Sequence, residues 1–222
     1  MIPRVLEPEV MDSAREAADY DAMDHREVNR RFVDDFLALW GRDATAAARI
    51  LDLGTGTAQI PLELCRRSSG AKVIAVDAAW HMLELAKKNV RAAGLEERIL
   101  LERVDAKRLP YSDGQFDAVI SNSIVHHIPE PATVLAEAVR VLKPGGAILF
   151  RDLMRPESPA ELERLVEMYA AGANGHQQHM FAASLHAALS VEDVRAMVAA
   201  LGFAAETVQA TSDRHWTWAA RC

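Results

Sequence analysis

Arg49-Ile50-Leu51-Asp52-Leu53-Gly54-Thr55-Gly56-Thr57-Ala58 is the stretch whose reading decides the fold. An apolar run ends in an acid and a glycine-rich turn. The spacing of Ile60, Leu62 and Leu64 then predicts a helix. This is the pattern of a buried strand feeding a helix through a turn tight enough to bring a nucleotide-like ligand against bare backbone. Gly54 and Gly56 lack a Cβ, so they can take positive φ and leave room for that ligand. The dinucleotide pattern G-x-G-x-x-G requires glycine at position 59, where this chain has Gln59. From Asp52 to Ala58 the spacing is instead D-x-G-x-G-x-A.

Similar signals recur outward from that turn. Lys72 to Asp77 is a buried strand ending in an acid, one helix's length further on, and an acid there can bind a ribose diol. Ile99 to Val104 reads as a third strand, followed by Asp105-Ala106. Leu109 to Asn122 reads as a turn and a fourth strand, and Val141 to Phe150 as a Lys-Pro-Gly-Gly turn and a fifth. Each piece has a plainer reading. Asp77 and Asp105 could merely cap the next helix, and Lys143 to Gly146 could be an ordinary loop.

Taken in this order across residues 49 to 150, the chain resembles the class I S-adenosylmethionine-dependent methyltransferases, with Ala58 in place of the usual third glycine. The resemblance implies an α/β fold: a seven-stranded, mostly parallel Rossmann-like sheet with helices on both faces and an N-terminal helical cap. It implies S-adenosylmethionine as cofactor and S-adenosylhomocysteine as product. It assigns Asp52, Gly54, Thr55 and Gly56 to the cofactor turn, Asp77 to the ribose, and Ala78 and Met82 to the adenosine. Asp105 and the Ala106 amide would meet the adenine, and Asn122 ends the strand beside the methionine part of the cofactor.

Composition fits one α/β domain of 222 residues. The expected parts are a helical cap (1–48, with Val28, Phe32, Phe36 and Leu39 at helical spacing), a cofactor half (49–152), and substrate-side helices with two closing strands (153–222). Those strands are expected at Ala204 to Gln209 and Trp216 to Ala220. No apolar run approaches the ~20 residues needed to span a membrane, and the first residues lack a signal-peptide layout. With Cys65 and Cys222 as the two cysteines, a disulfide framework is not expected and a cytoplasmic location is. The net charge of -7 argues against a nucleic-acid partner. Oligomeric state is not legible.

Substrate-side candidates come from segments leaving the carboxyl ends of the strands. His126 is a candidate proton acceptor for an O–H, N–H or S–H group, and the resemblance makes His127 a candidate for shaping the substrate loop. Asp152 could orient a histidine or bind an amine, or simply pair with Arg155. Arg214, His215 and an indole could hold an anionic or aromatic substrate, although Trp216 and Trp218 share a strand face and read as core. His176 and His179 would share a helical face, but Gly172, Asn174 and Gly175 argue against a helix, no acid completes the set, and no metal is expected. The resemblance makes Tyr20 in the cap the candidate for a hydrogen bond to cofactor or substrate, while Asp24, His25 and Asn29 read as capping or surface residues.

The function expected is in-line methyl transfer to a small molecule, aided mainly by alignment and exclusion of water. Arsenic-type methylation would need more thiolates, and the Asn-Pro-Pro-Tyr motif of amino-methylating enzymes is replaced by Asn122-Ser123-Ile124-Val125. Two alternatives stay open: a non-catalytic S-adenosylmethionine-binding partner, and a nicotinamide-dependent oxidoreductase, the latter opposed by Gln59.

Overall fold

The computed structural model describes residues 1–7, 12–23, 25–41 and 45–222. In chain order its elements are α1 (Ala14–Asp21), α2 (Arg26–Trp40), β1 (Ala48–Leu53), α3 (Gln59–Arg67), β2 (Ala71–Asp77), α4 (Trp80–Ala92), β3 (Ile99–Arg103) and β4 (Phe116–Asn122). Then follow α5 (Pro131–Val141), β5 (Leu142–Leu153), α6 (Pro159–Ala170), α7 (Gly175–Ala187), α8 (Val191–Ala200), β6 (Val208–Ala210) and β7 (His215–Arg221). The strands form a seven-stranded sheet in the order β3-β2-β1-β4-β5-β7-β6. β1 runs parallel to β2 and β4, and β2 parallel to β3, while β6 and β7 are antiparallel. This is the α/β sheet the sequence implies. No described helix is long and apolar enough to cross a membrane.

The chain packs as two compact units. The first comprises Met1–Glu9, Ser123–Ala132 and Arg151–Trp218; the second comprises Val10–Asn122, Thr133–Phe150 and Ala219–Cys222. In the second unit, β1, β2 and β4 are apolar and buried along nearly their whole length, as strands covered on both faces must be. α2 contributes Phe32, Val33, Phe36 and Trp40 to a core cluster that includes Leu62 and Cys65 of α3 and Ile50 of β1. The helix stops at Gly41, whose φ of 59° is left-handed and whose N–H bonds the Leu37 carbonyl.

In the first unit, Trp216 and Trp218 are fully buried, and Phe203 meets Trp218 edge-on at 5.2 Å, so the indoles are core. Ser190 caps α8 in a reciprocal box with Asp193. The segment at 174–179 corrects expectation, because α7 begins there. Asn174 and Gln177 form a capping box that turns loop-favouring residues into a helix start. The strand expected at Ala204 to Gln209 shrinks to β6, since Ala205–Thr207 form a 3-10 turn with the Thr207 N–H and hydroxyl both donating to the Ala204 carbonyl.

Candidate functional site

The second unit carries the glycine turn. Gly54, Gly56 and Ala58 all take positive φ, at 69°, 54° and 65°. Ala58 is the fully buried residue preceding α3, so the alanine that replaces the expected glycine sits in a left-handed conformation. The Thr55 N–H donates to the Val76 carbonyl at 2.9 Å, binding the turn to the end of β2. Asp77 continues the stitching: Oδ2 accepts from the Gly56 N–H at 2.8 Å and Oδ1 from the Ala79 N–H at 2.9 Å. Asp77 thus fixes the segment leading into α4, whose N-cap is Ala79 without a side-chain cap bond, and it also braces the glycine turn.

Asp52 is only 2% exposed, and burial pushes its carboxyl up to about 7, against a hydrogen bond from Thr55 and helped by the charge of Asp77. Neither its Oδ2 nor the buried hydroxyls of Thr55 and Thr57 make a well-directed hydrogen bond, Thr55 giving the carboxyl only partial support. A buried polar atom left without a partner costs about 1–3 kcal/mol. Such atoms on neighbouring residues of one turn mark a place built for a polar ligand.

Tyr20 lies against the same turn, for its Cε1 is 3.5 Å from where a Cβ on Gly56 would stand. The anchor is Asp21, whose Oδ1 accepts from Asn89 at 3.0 Å and from Gln59 at 3.3 Å; Asn89 also donates to the Thr57 carbonyl. Gln59, the residue that breaks the dinucleotide pattern, is thus a fastener between α1 and α3. Burial, then the charges of Asp77 and Asp52, push the Tyr20 hydroxyl up to about 12, so it stays a donor. Met82 is buried in a cluster with Ala17 and Ala79, against which Tyr20 packs. The Tyr20 and His25 rings are 4.8 Å apart; Asp24 lies outside the described residues.

Asp52, Thr55, Gly56, Asp77, Tyr20 and Met82 are therefore gathered round one turn. Ala78 is half-buried, its carbonyl accepting from Arg103 at 3.0 Å, and Asn122 is half-buried at the end of β4. Asp105 is exposed and held at its own turn, where Oδ1 accepts from the Lys107 N–H at 2.9 Å and lies 3.1 Å from its Nζ. Ala106 beside it is buried.

The first unit builds a second polar cluster. Asp152, fully buried at the end of β5, accepts from His126 Nδ1 at 2.5 Å through Oδ1 and from the Val125 and His126 N–H groups through Oδ2. Its expected partner Arg155 pairs instead with Asp193, at 3.0 Å. His126 Nε2 faces Glu7 Oε1 at 3.5 Å, and His127 Nδ1 is 3.1 Å from the same oxygen. Burial would lower His126, and Arg4 works the same way, but the charge and hydrogen bond of Asp152, with Glu7, hold its imidazole above the ordinary range. Burial would raise Glu7, yet His127 and His126 keep it below the usual carboxylate range. Arg4 clamps this loop, donating to the carbonyls of Ala187, Ile128 and His126. Sequence reading misses Arg4 and Glu7, because nothing local links an N-terminal segment to a loop after β4.

Further along the same unit, the Arg214 guanidinium lies 3.4 Å from the Tyr169 ring centroid, and Asp213 accepts from the Tyr169 hydroxyl at 3.0 Å. His215 shares a 2.9 Å hydrogen bond with Ser212; burial, then Arg214, lowers its imidazole to about 4 and keeps it neutral. His176 and His179 are exposed on α7. Among the described residues, the histidines and acids whose ligand atoms converge are Glu7, His126 and His127.

Comparison with known proteins bears on the family and the fold. The methyltransferase-domain family matches residues 51–150. The demethylmenaquinone methyltransferase of Thermus thermophilus is 34% identical over 167 residues, covering 71% of this chain and 75% of that protein. Methyltransferase GfsG of Streptomyces halstedii is 35% identical over 112 residues, and those cover 50% of this chain but 40% of that longer protein. A crystal structure of an S-adenosyl-L-methionine-dependent methyltransferase from Methanococcus maripaludis superimposes with a TM-score of 0.70 at 19% identity, over 96% of this chain and 95% of its own, a likeness of fold. The glycine turn with its orphaned polar atoms, the sheet order and the Thermus relative converge on one conclusion: this chain belongs to the class I S-adenosylmethionine-dependent methyltransferase family.

Proposed function

We propose that this chain transfers a methyl group from S-adenosylmethionine to a small-molecule acceptor. The observation that carries the reading is the set of buried polar atoms of Asp52, Thr55 and Thr57, none with a well-directed hydrogen bond, round a turn that Asp77 and Tyr20 enclose. The fit to the cofactor is chemical. Asp77 offers carboxylate oxygens suited to a ribose diol, Asp52 an acid suited to an ammonium, and Tyr20 a donor suited to a carboxylate. When bound, the cofactor supplies a methyl on a sulfonium sulfur, which keeps the electron pair of the breaking C–S bond as the acceptor's lone pair forms the new one.

The chain's own residues align and exclude water. Asp152 fixes the ring of His126 through Nδ1, which makes that pair positioning residues. Within the first unit, His215 is held neutral and can accept a proton, and Arg214 with Tyr169 offers a cation-and-aromatic surface suited to a polar or aromatic molecule. The Thermus relative is named for a quinone-type acceptor, in keeping with an aromatic substrate. Calorimetric titration with S-adenosylmethionine, S-adenosylhomocysteine and, separately, NADH tests the cofactor. A metabolite screen by mass spectrometry for a gain of one methyl tests the transfer. Binding of NADH alone refutes the reading, and cofactor binding without methylation of any acceptor favours a non-catalytic partner.

A further inference from the structure

The donor atoms of Glu7, His126 and His127 all lie within 4.8 Å of one another. Glu7 Oε1 stands 3.1 Å from His127 Nδ1 and 3.5 Å from His126 Nε2. Glu7 Oε1 and His127 Nδ1 are buried, and neither makes a properly directed hydrogen bond. The 3.1 Å Glu7–His127 contact helps hold Glu7 ionised, but it is poorly directed and leaves both atoms open to a better partner.

We infer that this cluster is a divalent transition-metal site, with Glu7, His126 Nε2 and His127 Nδ1 as its protein ligands. Two imidazoles and a carboxylate are the donor set that zinc-like ions take when a position is left for water or substrate. Ligand bonds of about 2.0–2.2 Å in tetrahedral geometry set donor atoms about 3.3–3.6 Å apart; the 3.1 and 3.5 Å separations here already approach that edge. The far side of His126 is built to match. Asp152 holds Nδ1 and is itself held by the N–H groups of Val125, His126 and Leu153. A carboxylate so placed fixes the tautomer that turns the Nε2 lone pair outward to a metal. Arg4 completes the frame by tying the segment that carries Glu7 to the carbonyls of His126 and Ile128. The remaining position suits an oxygen, nitrogen or sulfur donor, whose proton the ion would loosen. This goes beyond methyl transfer and does not depend on it.

The rival occupant is a proton shared between Glu7 and His126. The test uses the 222-residue chain free of any histidine tag, stripped with chelator and titrated with Co²⁺ by visible absorption, then with Zn²⁺ in competition. The expected result is one equivalent bound, with the intense d–d bands of low coordination. Glu7→Gln and His127→Ala should each weaken binding at least about tenfold and Asp152→Asn about 10–100-fold, with folding checked by circular dichroism. Joint replacement of His176→Ala and His179→Ala should change nothing. Absence of stoichiometric cobalt binding to the wild-type protein overturns the site. So does binding that survives Glu7→Gln and His127→Ala, or is lost with His176 and His179.

Discussion

Asp52→Asn separates the stability of the glycine turn from its function. Asp52 is 2% exposed, and its carboxyl is raised from 3.8 to about 7 by burial, with Thr55 opposing and Asp77 adding to the rise. Between pH 3.8 and 7 the folded chain holds a proton there that the unfolded chain has lost. Stability attributable to this group therefore falls as pH rises through that window and stays low above it. At about 1.4 kcal/mol per unit, the ionised acid costs roughly 4 kcal/mol at pH 8. Asparagine has the same shape without the charge. It should raise the melting temperature at pH 8 by about 8–16 °C, at about 2–4 °C per kcal/mol for a chain of this size, and by far less at pH 5. The same substitution should weaken S-adenosylmethionine, whose ammonium would ionise Asp52 and offset that cost; at pH 6, binding to the wild type should release up to one proton. Differential scanning calorimetry from pH 5 to 9, and titration in buffers of unlike ionisation enthalpy, measure both. Parallel melting curves for the two proteins, or cofactor affinity unchanged in Asp52→Asn, would refute the argument.

Asp77→Ala removes the acceptor for the Gly56 and Ala79 N–H groups and should weaken S-adenosylhomocysteine by about 1.5–3 kcal/mol in calorimetry; equal affinity removes the ribose assignment. Gly56→Ala places a side chain at φ 54°, a strain of about 1–2 kcal/mol, and sets a methyl 3.5 Å from Tyr20, so both melting temperature and cofactor affinity should drop. His126→Ala should depress turnover far more than cofactor affinity, whereas equal losses would mean that the whole fold has been disturbed. If His215 takes the acceptor's proton, the acid limb of kcat/KM should fall near pH 4 rather than near 6.5 and disappear in His215→Gln.

The fold was legible because it is written locally. Buried parallel strands are near-continuous apolar runs, and those of β1, β2 and β4 end in the acid, glycine or asparagine that leaves the sheet, so order and spacing alone carry the topology. The cofactor turn was legible for the same reason, since Asp52 to Ala58 lie side by side in the chain. What the sequence hid is pairwise and distant. Gln59 reads as a broken motif until Asp21 is seen to need it. Asp152 reads as a partner for the nearby Arg155 until His126 and Asp193 divide the two between them. Glu7 reads as one more surface acid in a chain of 32 acids until its oxygen faces both histidines. α7 escaped for a subtler reason: its first residues disfavour helix interiors, yet Asn174 and Gln177 work as a reciprocal cap whose strength no single-residue preference reports. Residues that bind across long sequence separations carry no periodicity, and the polar cluster of the first unit is made almost wholly of them.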